Sequence, residues 1–398
     1  MATVLRRASI RCARIEESHA LVRKRSGSSD LFARARRLFG SLRGEELHRF
    51  STISDPKSSN LTLQMRNFIL KRRCVWITLA LSLSVSQTAI AKFTGPVAEV
   101  EGLQMFSDFW LNLHHFLYVS AWARRGDTPG QRHLAMPLPA DDGMAMKDKE
   151  RATWDAAVSY YDRELASKDL LLDEGLTAIN NSLAGAKTLT GISLAADHRR
   201  LLEADAPIYR RYWWSQHDAA NRGWIADVAR RTAPVAPQII DRLTSLYGVK
   251  WFDTPVRVDV VRFGKSQGAY TAVVPRVHII VASADASSAG WAGTEILFHE
   301  SSHGLIQKVR AAVDQAMKAV GKNPRDLWHV VLSYITGEVT RQTLAARGIE
   351  YQPYLYATGL FTRAWPMFRG PIEQTVHPFV DRKIDLNEMT RELAASAP

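Results

Sequence analysis

Between Leu297 and Leu305 the chain reads LFHESSHGL, which places His299, Glu300 and His303 in the order H-E-x-x-H. On a helix, residues i and i+4 sit one turn apart on the same face, so two imidazoles can converge on one metal ion. Glu300 points about 100° round the helix from His299, which sets it beside such an ion instead of on it. A carboxylate there can take a proton from water and pass it to a leaving amine. Two imidazoles do not complete a zinc site, so a third protein ligand has to come from elsewhere in the chain.

Cysteine is not available for that role. The 2 Cys of the 398-residue chain are Cys12 and Cys74, both far upstream of the motif, which leaves His, Asp and Glu. Two residues on the next expected helix compete, His329 and Glu338. Nine steps at about 100° each put their side chains roughly 180° apart, so at most one can face the metal. Leu327, Val331, Tyr334, Glu338, Gln342 and Ala345 share one side of that helix, whereas His329 lies with Ser333, Thr336 and Thr340. A carboxylate at the centre of an apolar side is costly to bury, and a dication would offset the cost. Glu338 is therefore the expected third ligand; the competing reading pairs it with Arg310 or Arg341. Glu295, one turn before His299, is a candidate for orienting an imidazole.

The elements that must position these residues can be read from the periodicity. Helical spacing of apolar residues predicts helices over Val97–Arg125, Lys149–Leu172, Asp197–Trp214, Ala219–Thr232 and Ala236–Tyr247. The Pro-rich stretch Thr128–Gly143 predicts a surface loop. Three short β-branched runs follow, PVRVDVVRF, AYTAVV and VHIIVAS, spaced as a small antiparallel meander. Next come a helix over Ala292–Val320 carrying the motif, a second from Pro324 to Arg347, and a helical tail ending in Leu386–Ala395. The expected fold class is α+β: one domain over 92–398, mainly helical in 92–254, with the chemistry in 255–398. The aromatic stretch around Trp213, His217, Asn221 and Trp224 reads as core with a hydrogen-bonded polar inset, and His114-His115 as structural.

From Arg257 to Thr343 this order of elements, with His299, Glu300, His303 and Glu338, resembles the gluzincins, the thermolysin-like superfamily of zinc metallopeptidases. The resemblance implies Zn2+ held by His299, His303 and Glu338, with Glu300 as the general base. It also implies a Tyr or His donor to the oxyanion, for which Tyr334, Tyr351, Tyr354, Tyr356 and His377 are candidates. An extended peptide or protein substrate would pair along an edge strand upstream of the metal helix, expected in VHIIVAS.

The net charge of +12 points away from this chemistry only until it is located. Residues 1–91 hold 17 Lys+Arg against 6 Asp+Glu, leaving 35 against 34 for the rest, so the body of the protein has no footprint for nucleic acid. Within 65–91, Arg66, Lys71, Arg72 and Arg73 precede an apolar run from Cys74 to Val85 and an Ala89-Ile90-Ala91 cleavage site, the pattern of a secretory signal peptide. The run is shorter than the roughly 20 residues of a stable membrane span. Residues 1–64, Arg- and Ser-rich without apolar period, then read as a disordered upstream extension outside the native protein, the alternative being a genuine basic leader or transit peptide. Gly264-Lys265-Ser266 imitates the end of a P-loop, but Asp259 stands where its first Gly belongs. There is no G-x-S-x-G and no G-x-G-x-x-G. The expectation is an exported, periplasmic or extracellular zinc peptidase. The competing class is a non-catalytic periplasmic binding or structural protein in which H-E-x-x-H is vestigial or fortuitous.

Overall fold

The computed structural model describes residues 95–125, 146–264 and 268–398. The expected signal peptide, the segment before it, both cysteines and the Thr128–Gly143 loop lie outside the described residues.

The first described elements correct the expectation of a helix from Val97. β1 (Ala98–Val100) and β2 (Leu103–Phe106) form a hairpin. Its two turn residues, Glu101 at φ 48° and Gly102 at φ 79°, both take the left-handed region, as the tight primed hairpin turns require. The helix α1 begins only at Phe109 and runs to Arg124. Then follow α2 (Asp148–Glu164) and α3 (Glu174–Leu183), the latter started by Asp173, whose carboxylate accepts the Leu176 N–H. α4 (Ala196–Tyr209) continues through a π-helical turn, Arg210–Trp214, into α5 (Ser215–Thr232). α6 (Ala236–Tyr247) stops at Gly248 in the left-handed conformation.

The strands β3 (Val256–Val261), β4 (Ala269–Ala272) and β5 (His278–Ala282) join β1 and β2 in one five-stranded mixed sheet of order β1-β2-β3-β5-β4. It is not the antiparallel meander that the short turns suggested. β5 returns parallel to β3 and lies between it and β4, which pairs antiparallel on the outside. The composition explains the placement: all five residues of β5 are buried, as in a strand covered on both faces, whereas β4 leads into the exposed Val273 and Val274. VHIIVAS is therefore internal, and β4 is the edge strand.

Side chains alternate across the sheet and divide the core in two. Val256, Val258, Val260, Ile279 and Val281 pack under α6 and the C-terminal helices. Val261, Phe263, Tyr270, Ile280 and Ala282 pack under α1, α2, α3 and α4. The C-terminal layer comprises α7 (Trp291–Ser302), α8 (Gln307–Ala319), α9 (Leu327–Ala345), the short α10 (Tyr354–Ala357) and α11 (Leu360–Ala364), then α12 (Arg369–Val380) and α13 (Leu386–Ser396). The fold is α+β and mainly helical.

The polar residues expected to be structural are so. His217 Nδ1 bonds the Tyr209 hydroxyl at 2.8 Å, and Asn221 donates to Asn112 Oδ1 at 2.9 Å and to the Val260 carbonyl at 3.1 Å. His114 Nδ1 meets the Tyr161 hydroxyl at 2.8 Å, and that hydroxyl also meets His198 Nε2 at 2.8 Å.

Candidate metal centre

The helix expected over Ala292–Val320 is two helices, α7 and α8, separated at 303–306. The break falls at the motif: His299 is in the last turn of α7, and His303 is the residue that ends it. Two glycines fix the course of this segment. A Cβ on Gly293 would meet Val228 Cγ2 at 2.7 Å and the Ser288 carbonyl at 2.8 Å, so α7 lies close against α5. A Cβ on Gly304 would meet Val277 Cγ2 at 2.7 Å and the Phe252 ring at 3.1 Å, so the chain leaving His303 passes hard against its neighbours.

Opposite this turn, the first turn of α9 supplies His329. The rings of His299, His303 and His329 form a nearly equilateral triangle, with centroids 5.1, 5.2 and 5.2 Å apart. One nitrogen from each lies within 4.8 Å of the others. Nε2 of His299 and Nε2 of His329 stand 3.2 Å apart. That is close to the roughly 3.3 Å expected between two ligand atoms each about 2.0 Å from a tetrahedral zinc. All three rings are pushed toward the neutral form. Burial holds His299 well below the usual imidazole range, with repulsion from His303 and His329 adding to it. Burial, His329 and Arg310 bring His303 down to about 3, and burial lowers His329. Neutral imidazoles whose ring nitrogens come this close can hold a first-row divalent ion once the proton shared by His299 and His329 moves to the far ring nitrogen, and three of them would leave one tetrahedral position open. The donor set fits zinc.

Glu338 is not the third ligand. It lies nine residues beyond His329, about 13 Å along the helix axis. Its carboxylate is held by Arg341, with N–O distances of 2.7, 2.9 and 3.1 Å. The His-and-hydroxyl side of α9 is not a wet side. Thr336, Thr340 and Ser333 are buried, and Ser333, Thr336 and Thr343 each donate to the carbonyl four residues back. A hydroxyl spent on its own helix behaves as a small packing group, so that side can press against another helix.

Glu300 follows His299 in the last turn of α7. It is buried, and its Oε2 accepts a 2.6 Å hydrogen bond from the Thr271 hydroxyl on the edge strand β4. Burial pushes its carboxyl up to about 7, with Thr271 opposing. Glu295 does not orient an imidazole. Its carboxylate accepts from the Tyr351 hydroxyl at 2.6 Å and from the Tyr354 amide at 3.0 Å, tying the segment after α9 onto α7. The oxyanion candidates are engaged elsewhere: Tyr334 hydroxyl with His377 Nδ1 at 3.0 Å, Tyr354 with Ser287 at 3.3 Å, Tyr356 with Glu373 at 2.8 Å. None of these bonds involves the triangle.

Sequence reasoning missed the aromatic residues beside the imidazoles. Trp328 stands edge-on to His303 with centroids 5.8 Å apart, and Trp365 edge-on to His329 at 5.6 Å. The adjacency of Trp328 to His329 was the one signal available. A cavity of about 690 Å³ lined by Arg341, Ala345, Ile349 and Tyr351 belongs to the other end of α9. Arg341 is twelve residues, about 18 Å, along that helix from His329.

In comparisons with family models, curated proteins and solved structures, no match to this chain was found. Among the described residues no helix is long and apolar enough to cross a membrane.

Proposed function

We propose that this chain is an exported metal-dependent hydrolase of peptide bonds, with zinc bound by His299, His303 and His329. The observation that carries the reading is the neutral three-imidazole triangle with a buried, hydrogen-bonded carboxylate one residue along from its first member. A divalent ion in such a site supplies a Lewis acid for a carbonyl and lowers the pKa of water. Glu300 accepts the proton of the attacking water and returns it to the departing amine. Its raised pKa favours both halves, because a base near neutrality also releases its proton readily. The Thr271 hydroxyl holds one carboxylate oxygen and so fixes the plane in which the other can act.

A peptide substrate is favoured by the strand that Thr271 belongs to. Among the described residues β4 ends the sheet, with no strand paired on one side of its backbone, and it adjoins Glu300. An extended peptide laid along it would bring a carbonyl to the metal. This gives β4 the role that the resemblance assigned to VHIIVAS.

Metal analysis and a peptide-library digest test the reading together. Purified protein should hold one equivalent of zinc. Glu300→Gln should keep that zinc while turnover falls about 10²–10⁴-fold, the usual worth of a positioned general base. Undiminished turnover in the variant would remove Glu300 as base. Zinc without any cleavage by wild type would leave a binding protein. For export, the N-terminus of secreted protein should lie within a few residues of Lys92, and retention of 1–64 would refute that part.

A further inference from the structure

Arg310, in the first turn of α8, lies over the Trp328 ring with its guanidinium carbon 4.4 Å from the centroid. That ring is the one set edge-on to His303 at 5.8 Å, which bounds the guanidinium at about 10 Å from the His303 ring. The nearest carboxylate, Asp314 on the same helix, is 3.7 Å away, an ion pair without hydrogen-bond geometry. The side chain is 43% exposed. A half-exposed guanidinium held against an indole, ion-paired to Asp314 at 3.7 Å but making no hydrogen bond among the described residues, can still turn its fork to a planar anion.

We propose that Arg310 anchors the C-terminal carboxylate of the substrate, which makes this a peptidase acting at or next to free C-termini. The inference rests on the proposed peptidase reading. The span supports it: an extended chain covers about 3.3–3.6 Å per residue. Allowing about 4 Å for the ion pair itself, at most about 6 Å remains, so the carboxylate would lie no more than one or two residues beyond a carbonyl at the imidazoles. Trp328 contributes by restricting the guanidinium before the substrate arrives, so that less side-chain freedom is lost on binding.

The test measures binding by the zinc-loaded full chain, independently of turnover. The probes are N-(mercaptoacetyl)-leucine, whose thiolate binds zinc and whose carboxylate would reach Arg310, and its C-terminal amide. Calorimetry should find the acid at least about tenfold tighter than the amide on wild type, a step of 1.4 kcal/mol. In Arg310→Gln that preference should shrink to about twofold or less, with the zinc content and the amide affinity unchanged. Arg310→Lys, which keeps the charge but loses the fork and the stacking, should retain only part of it. Equal affinities on wild type, or a preference that survives in Arg310→Gln, would overturn the proposal. A chain that takes up no zinc would overturn it through the metal site itself, and metal analysis separates that failure from the others.

Discussion

A buried carboxylate is costly unless hydrogen bonds, a proton or a cation offset its charge, and Glu338 finds a cation three residues along its own helix in Arg341. The ring that joins His299 and His303 in a group able to hold a metal ion is that of His329. Two substitutions separate these roles. His329→Ala should lose zinc on dialysis, together with any peptidase activity, and leave the fold in place. Glu338→Gln should keep its equivalent of zinc and lose stability on the order of 1–2 kcal/mol, discounted for the partial exposure of Arg341. A metal titration with the opposite result would restore Glu338 as the ligand. What was legible here was the i, i+4 pair and its glutamate, because one helical turn fixes their relation whatever surrounds them. The third ligand was not legible, because amphipathicity chooses a face only when one side of a helix is in water. α9 is buried almost all round, from Val330 to Thr340 without a break. Its hydroxyl side packs with Ser333 and Thr336 bonded back to the helix, while the buried Thr340 hydroxyl has no partner among the described residues.

At the scale of elements, the site depends on a helix that ends where the second histidine is needed. α7 stops at Ser302, His303 caps it, and the chain turns within 303–306 before α8 begins. The apolar pattern runs through both helices, so the sequence suggests one long helix; the break is enforced by what stands beyond it. Gly304 shows this most directly, since Val277 and Phe252 occupy the space of any Cβ there. Gly304→Ala should cost about 1–3 kcal/mol, the usual range for overpacking a close contact, and should weaken zinc binding through His303. Gly370, near the start of α12, has nothing within 4 Å of its would-be Cβ, so Gly370→Ala is the control and should be neutral or slightly stabilising. Equal denaturation midpoints for the two variants would show that the turn tolerates displacement. The strands were legible to within a residue or two because β-branched runs between turns are local signals. Their order was not, since parallel pairing of β3 with β5 is settled by which strand can be covered on both faces. The β1–β2 hairpin was hidden because its turn is Glu101-Gly102, with no Asn or Asp to mark it.

At the scale of the whole described molecule, the sheet separates a C-terminal layer that carries the triangle of His299, His303 and His329 from a helical layer that buries titratable groups of its own. In the helical layer burial depresses the imidazoles of His115, His198 and His217 to about 4, and holds His114 well below its usual range. Each histidine binds its proton in the unfolded chain before it does so in the folded one. Their contribution to stability is therefore present above about pH 6.5 and is lost as pH falls toward 4. Asp205 acts in the other direction. It is 1% exposed, its Oδ1 has no hydrogen-bond partner, and burial pushes its carboxyl up to about 7. A raised acid favours the fold only while protonated, so its contribution is intact below about pH 4 and is lost as pH rises through 7. In the metal-free protein His299, His303 and His329 add to the four of the helical layer, making seven depressed histidines against the raised acids Asp108, Asp205, Glu295 and Glu300, so stability measured in the presence of a chelator should rise between pH 4.5 and 6.5. Asp205→Asn isolates the acid, because the amide stays neutral throughout. It should stabilise the protein at pH 8 by up to a few kcal/mol, as about 1.4 kcal/mol per pKa unit implies, and by much less at pH 5. Urea midpoints at the two pH values decide it: the same gain at both would mean that Asp205 is paired and ionised in the fold.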